Sequence, residues 1–249
     1  MPITVKSSRE IELMTEAGRI LEIVHKELEK ALHPGMTTKA IDRLGEEIIR
    51  SYGCIPSFLD YNGYPASICV SVNDEVVHGI PSEHRIIREG DIVSLDAGVI
   101  YKGYHSDAAR THCVGEVSKE AQDLVRVTRE CFFEGIKYAK EGNHLFDISG
   151  AIGRYAKERG YGVVRDLCGH GIGTALHEAP EIPNYEMKRK GALLKAGMTL
   201  AIEPMINIGG WEVDWMDDDW TVVTDDGSLS AHYENTILIT EGEPEILSL

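Results

Sequence analysis

Residues 89–98, EGDIVSLDAG, and residues 196–205, AGMTLAIEPM, are two versions of one pattern. Gly90 meets Gly197 and Asp96 meets Glu203, each pair 107 positions apart, and each acidic residue follows an apolar, strand-like run. The same offset works outward along the chain, pairing Gly35 with Gly142, Ile41 with Ile148 and Gly53 with Gly160 without a gap. In the first copy, SSRE at 7–10 has the form of a capping box. Ile11, Met14, Ala17, Leu21, Val24, Leu28 and Ala31 then make one apolar helical stripe, which His33, Pro34 and Gly35 end. Thr37 or Thr38 caps a second helix carrying Ile41, Leu44, Ile48 and Ile49, ending near Gly53. In the second copy Ser118 opens a helix with Leu124, Val125, Cys131, Phe132 and Ile136. Glu141, Gly142 and Asn143 stop it, and a helix with Ile148, Ile152, Tyr155 and Ala156 ends near Gly160. The spacing predicts an α+β fold: one domain over 1–249, in pseudo-symmetric halves of about 1–110 and 111–249, with a pocket where the halves meet.

Composition narrows the function. The chain has 249 residues, a net charge of −16 and 43% hydrophobic residues. Such an acidic surface argues against nucleic-acid or anionic-membrane partners. No apolar run approaches the ~18 residues of a membrane span, and residues 1–10 lack the apolar stretch of a signal peptide. Five cysteines without a CxxC pair fit a reducing, cytoplasmic setting better than a disulfide framework.

The chemistry gathers in short segments. Asp96 in IVSLDAG and Asp107 in SDAAR flank a hairpin turn at VIYKGY, so the two carboxylates are expected to face each other on neighbouring strands. In LCGHGIGTALHEAP the glycines Gly169, Gly171 and Gly173 leave the backbone around His170 free to turn tightly, with His177 seven residues on. Glu203 precedes Pro204, and Glu234 heads the strand-like ENTILIT. Four carboxylates and one imidazole beside apolar runs, with no matching set of Lys or Arg, call for a cation. Two divalent ions fit this donor set. Oxygen-rich ligation with one imidazole suits Mn, Fe(II) or Co, with Zn also compatible. A water shared by two such ions is acidified and attacks a polarised carbonyl.

The order of VSLDAG, SDAAR, HGIG followed by HE and P, AIEPM and YENTI resembles the type I methionine aminopeptidases of the short bacterial form, the first branch of peptidase family M24, over nearly the whole chain. The resemblance implies the pita-bread fold, two pseudo-symmetric α+β halves around a central antiparallel sheet. It implies removal of the initiator methionine from nascent proteins when the second residue is small. It assigns Asp96 to one ion, Asp107 and Glu234 to both, and His170 and Glu203 to the other, with Glu203 also taking a proton from the attacking water. It gives His177 the scissile carbonyl and His78 the peptide nitrogen. It also implies a methionine pocket of Tyr61, Tyr64, Cys69, His78, Leu176 and Trp220, although Cys69 equally suits a small core position. In some relatives a monovalent cation sits near positions matching Asn73 and Ser230, where Glu75 replaces the usual apolar residue.

Asn62, Leu176, Asn235 and Phe58 stand where relatives often carry His, Phe, His and Cys, which implies a pocket of altered shape. The acidic run Asp214, Asp217, Asp218 and Asp219 reads as a solvated loop, or as a surface that draws a substrate's amino group. Two alternatives share the fold. Proline-specific aminopeptidases usually carry an extra N-terminal domain, for which a helix starting near Ser7 leaves no room. Non-catalytic pita-bread binding proteins typically lose metal ligands. The expected partners are nascent N-termini, with ribosome contact an open extension, and the expected state is a monomer. The Met1–Pro2 start makes the chain's own Met1 a candidate substrate.

Overall fold

The computed structural model describes residues 2–249, so Met1 lies outside it. The helices are α1 (Ser8–Ala31), α2 (Thr38–Ser51), α3 (Lys119–Ile136) and α4 (Leu145–Glu158). The strands of the first half are β1 (Ile55–Pro56), β2 (Ile68–Val72), β3 (Glu75–Val77), β4 (Ile92–Tyr101) and β5 (Tyr104–Cys113). Then come β6 (Gly162–Val163), β7 (Gly169–Gly171), β8 (Glu178–Ile182), β9 (Thr199–Ile202) and β10 (Met205–Asn207). The last are β11 (Val213–Trp215), β12 (Val222–Thr224), β13 (Ser230–His232), β14 (Glu234–Leu238) and β15 (Glu245–Ile246).

Local chemistry sets these boundaries. Ser7 and Glu10 form the reciprocal capping box of α1, the Ser7 N–H donating to Glu10 Oε2 at 2.7 Å. Thr37, rather than Thr38, caps α2. The offset of 107 reappears in the backbone: α2 and α4 both have 14 residues and start at Thr38 and Leu145. Isolated bridges join Thr37 to Ile86 and His144 to Leu193. The paired glycines share left-handed φ values, 95° and 88° at Gly35 and Gly142, 90° and 89° at Gly90 and Gly197. Residue 110, the expected end of the first half, falls inside β5, which continues to Cys113.

One mixed-length sheet runs β1–β4–β5–β14–β9–β7–β8, with β2 also on β4 and β15 on β14. All of its pairings are antiparallel. Its helix-facing side is apolar. Val93, Leu95, Ala97 and Val99 of β4 pack with Leu21, Val24 and Leu28 of α1 and Ile41 and Ile49 of α2. Leu200, Ile202 and Ile237 pack with Leu124 and Phe132 of α3 and Ile148 and Ile152 of α4. Since side chains alternate along a strand, Ser94, Asp96 and Gly98 project to the opposite face. The fold therefore has two helix-backed cores and one shared face on which polar residues can meet.

Gly169 and Gly171 serve close approach rather than unusual turns. Neither has positive φ. A Cβ at Gly169 would lie 2.4 Å from the Ala201 carbonyl oxygen, and one at Gly171 2.2 Å from that of Ala179. The strand carrying His170 is thus squeezed between β8 and β9. Gly169→Ala is expected to lower the unfolding free energy by about 1–3 kcal/mol through overpacking. A urea midpoint equal to wild type would show that β7 is not so confined.

Candidate active site

Two cross-strand rows build the site. Cys69, Asp96, Ala109 and Glu234 lie opposite one another on β2, β4, β5 and β14. Opposed residues share a face, so the two carboxylates project together over a floor that Ala109 keeps shallow. Asp107 is opposite Gly98, not Asp96. The aspartates are therefore diagonal neighbours on adjacent strands, with their carboxyls close together on one face. A second row joins His170, Ala201 and Thr236. Thr236 Oγ1 accepts from the Asp107 N–H and donates to its carbonyl, both at 2.9 Å. Glu203 stands one residue beyond β9.

These side chains line a cavity of about 200 Å³. Asp96, Asp107, His170, Glu203 and Glu234 occupy one part of it, and Tyr61, Tyr64, Cys69, His78, Leu176, His177 and Trp220 the rest, joined by Phe58 and Asn62. Every residue singled out from the sequence for catalysis, the divalent ions or the methionine pocket is thus in one cavity. Asn235 is not. It faces the other side of β14, where its Oδ1 accepts from Arg110 Nη2 at 2.6 Å. Alternation along β14 explains this: Glu234 points into the cavity, so its neighbour points away.

The donor set fits divalent cations. Asp96 Oδ1, Asp107 Oδ1 and Glu234 Oε1 are buried without a hydrogen-bond partner among the described residues. His170 Nδ1 bonds the Gly171 carbonyl at 2.9 Å, which leaves Nε2 free, 3.5 Å from Glu203 Oε1 and 3.9 Å from Asp107 Oδ2. The ligand atoms of Asp107, His170 and Glu234 lie within 4.8 Å of one another. Burial pushes the Asp96, Glu203 and Glu234 carboxyls well above their usual range, reinforced by the neighbouring carboxylates, and pushes Asp107 up to about 7. Burial holds His170 down at about 3, so its imidazole is neutral and competent to ligate. His232 was not foreseen. It lies beside Asp96 and Glu234 and is 2% exposed. Its position two residues before Glu234 was the available signal.

Around this cluster the neutral groups are fixed. The Tyr61 hydroxyl lies 2.7 Å from His177 Nδ1. With the phenol donating, Nε2–H of His177 is left to donate elsewhere. Burial and then the nearby His177 depress His78 to about 4. Trp220 packs edge-on against Tyr64 and His78, at 5.1 and 6.3 Å between centroids. Burial raises the Cys69 thiol far above its usual range, so it is a packed neutral wall and no nucleophile. Asp218 belongs to the turn itself, accepting from Trp220 N–H at 2.9 Å and Thr221 N–H at 2.8 Å, which seats Trp220. Asn73 and Ser230 adjoin, the Ser230 N–H donating to the Asn73 carbonyl at 2.9 Å.

A pita-bread fold with a buried carboxylate–imidazole cluster defines a metallopeptidase class, and the sequence matches the model of metallopeptidase family M24 over residues 12–241. Methionine aminopeptidase of Clostridium acetobutylicum is 54% identical over 247 residues, covering 99% of both chains. Methionine aminopeptidase 1 of Bacillus subtilis is 48% identical, with 99% of both chains covered. The crystal structure of methionine aminopeptidase from Thermotoga maritima superposes with a TM-score of 0.97 at 46% identity over 99% of each chain. The chain belongs to family M24 and, within it, to the methionine aminopeptidases.

The raised carboxyls make stability depend on pH and metal. In the stripped protein these groups hold protons that the unfolded chain releases above ~4, so they withdraw stability as pH rises toward their folded values. The depressed histidines act oppositely only up to ~6.5, the unfolded histidine value. Between pH 7 and 8.5 the stripped protein should therefore lose thermal stability, while a divalent-loaded sample should lose less. Melting curves that keep the same gap between the two samples across that range would contradict the assignment.

Proposed function

We propose that this chain hydrolyses the first peptide bond of nascent polypeptides, releasing the initiator methionine when the second residue is small. Two divalent ions would be held by Asp96, Asp107, His170, Glu203 and Glu234. The carrying observation is the continuity of this donor cluster with a narrow wall of aromatic and sulfur-bearing side chains. When bound, such ions acidify a water and polarise a carbonyl.

The chain's residues supply the rest. Glu203 takes the proton of the attacking water. His177, oriented by Tyr61, donates to the charge growing on the scissile oxygen. His78 contacts the peptide nitrogen and helps the leaving amine gain its proton. Tyr64, Cys69, Leu176 and Trp220 hold the thioether, which packs well against aromatic rings and sulfur. The reading includes Mn, Fe(II) or Co as the ion, with Zn compatible, and a monovalent cation near Asn73 and Ser230, whose backbones are joined by a hydrogen bond, although Glu75 stands there in place of the usual apolar residue. It includes one catalytic domain of two related halves, supported by the repeated backbone geometry. Free cysteines at all five positions support a cytoplasmic setting. The reading also takes the chain as a monomer. Any ribosome contact would avoid bare RNA, given a charge of −16.

Cleavage of Met-Ala-Ser, Met-Lys-Ser and Ala-Pro-Ser by stripped and by metal-loaded protein tests the reading. Met release from Met-Ala-Ser alone, and only with metal, is expected. Preference for Ala-Pro-Ser would transfer the chain to proline-specific chemistry, and no cleavage with metal bound would make it a binding protein. Asp96→Ala and Glu203→Ala should lose metal and activity together. His177→Ala should keep its metal while kcat falls by roughly 10²–10³, the size of a lost oxyanion donor. Metal loss in that variant would make His177 a ligand instead.

A further inference from the structure

We propose that His232 is a sixth donor to the metal site, an imidazole on the ion held by Asp96 and Glu234, so that each ion carries one nitrogen ligand. The proposal rests on the metal-site reading above. Ligand atoms of Asp96, His232 and Glu234 all lie within 4.8 Å of one another. His232 Nε2 is 3.7 Å from Glu234 Oε2, too far for a hydrogen bond. Two donors each ~2.1 Å from a shared ion can lie up to ~4.2 Å apart. Neither ring nitrogen of His232 has a hydrogen-bond partner among the described residues, and neither do Asp96 Oδ1 and Glu234 Oε1.

A buried imidazole unsatisfied at both nitrogens is costly unless something absent from the protein completes it. The cluster of orphaned carboxylate oxygens beside it says what that is. The ring is delivered by a pinned backbone. The His232 N–H donates to Thr111 Oγ1 at 2.9 Å, and the same hydroxyl donates to the His232 carbonyl at 2.8 Å. Met205 pairs opposite it on β10. With five donors, the Asp96 ion would have oxygen ligands only. With His232 it gains a nitrogen, which shifts its preference from Mn toward Co, Ni and Zn.

Chelator-stripped protein reloaded with two equivalents of Co(II) tests this without any variant. A ligating imidazole keeps one N–H whose proton is strongly shifted by the paramagnetic ion and vanishes in D₂O. The unmodified protein should show two such signals, one lost in His170→Ala and the other in His232→Gln. His232→Gln should also bind one of its two Co(II) ions about tenfold or more weakly, with far-UV circular dichroism unchanged. Two bound ions with a single shifted imidazole signal would overturn the His232 assignment alone, leaving a ring that merely packs behind Glu234. A second signal that survives in His232→Gln would do the same, since another histidine would be its source. Failure to bind Co(II) at all would overturn both this assignment and the metal-site reading beneath it.

Discussion

Four carboxyl groups project from one side of an antiparallel sheet into a narrow cavity, Asp107 and Glu234 being buried there. No lysine or arginine side chain among the described residues forms an ion pair with any of the four, and the imidazoles beside them are neutral. Left to themselves they hold protons; ionised, they require a cation. Much of the surrounding structure follows from that requirement. Ala109 sits between Asp96 and Glu234 because a larger side chain would fill the space above the sheet. Gly98 lies opposite Asp107, where a Cβ would come within 2.7 Å of Ser57 Cβ. The apolar face behind, with its two helix-backed cores, holds these strands in register, so the polar face needs no internal compensation of its own.

The same face explains a division of labour among the histidines. His170 enters from a squeezed strand with its Nδ1 committed to a carbonyl, a geometry that aims one lone pair. His177 has its Nδ1 at the Tyr61 hydroxyl, 116 residues earlier in the chain, a geometry that aims one N–H. The two rings are only 4.2 Å apart between centroids. An acceptor and a donor are thus set side by side, and the difference between them comes from the partner of the other ring nitrogen.

Helices and their ends were largely legible in the sequence, because capping residues, glycines and a 3.6-residue stripe are local signals. Strand pairing was less so. The offset of 107 relates Asp96 to Glu203 but gives no hint that Asp107 neighbours Glu234, since residues 211–229 intervene in the second half without a counterpart in register. Period-two alternation from Glu234 would have turned Asn235 away from the cavity. Gly169 and Gly171 show a true ambiguity: glycine answers equally to a left-handed turn and to a close approach, and only the neighbouring carbonyls distinguish them. His232 was overlooked because a lone histidine near a strand reads as an ordinary polar residue until its empty surroundings are seen.

The two helix-backed cores meet where β5 runs beside β14. On β5 and β14 the ladder pairs only Glu234 with Ala109 and Asn235 with Ala108. Arg110 adds bonds to the Glu234 carbonyl, to Asn235 and to the Ser248 carbonyl. Side chains reinforce that short ladder: Thr236 bonds both backbone groups of Asp107, and Thr111 bonds both backbone groups of His232. Asp107 and Glu234, the two carboxylates assigned to both ions, stand on either side of it. Ions held there would be rivets as much as reagents, joining the two strands where their own ladder is short.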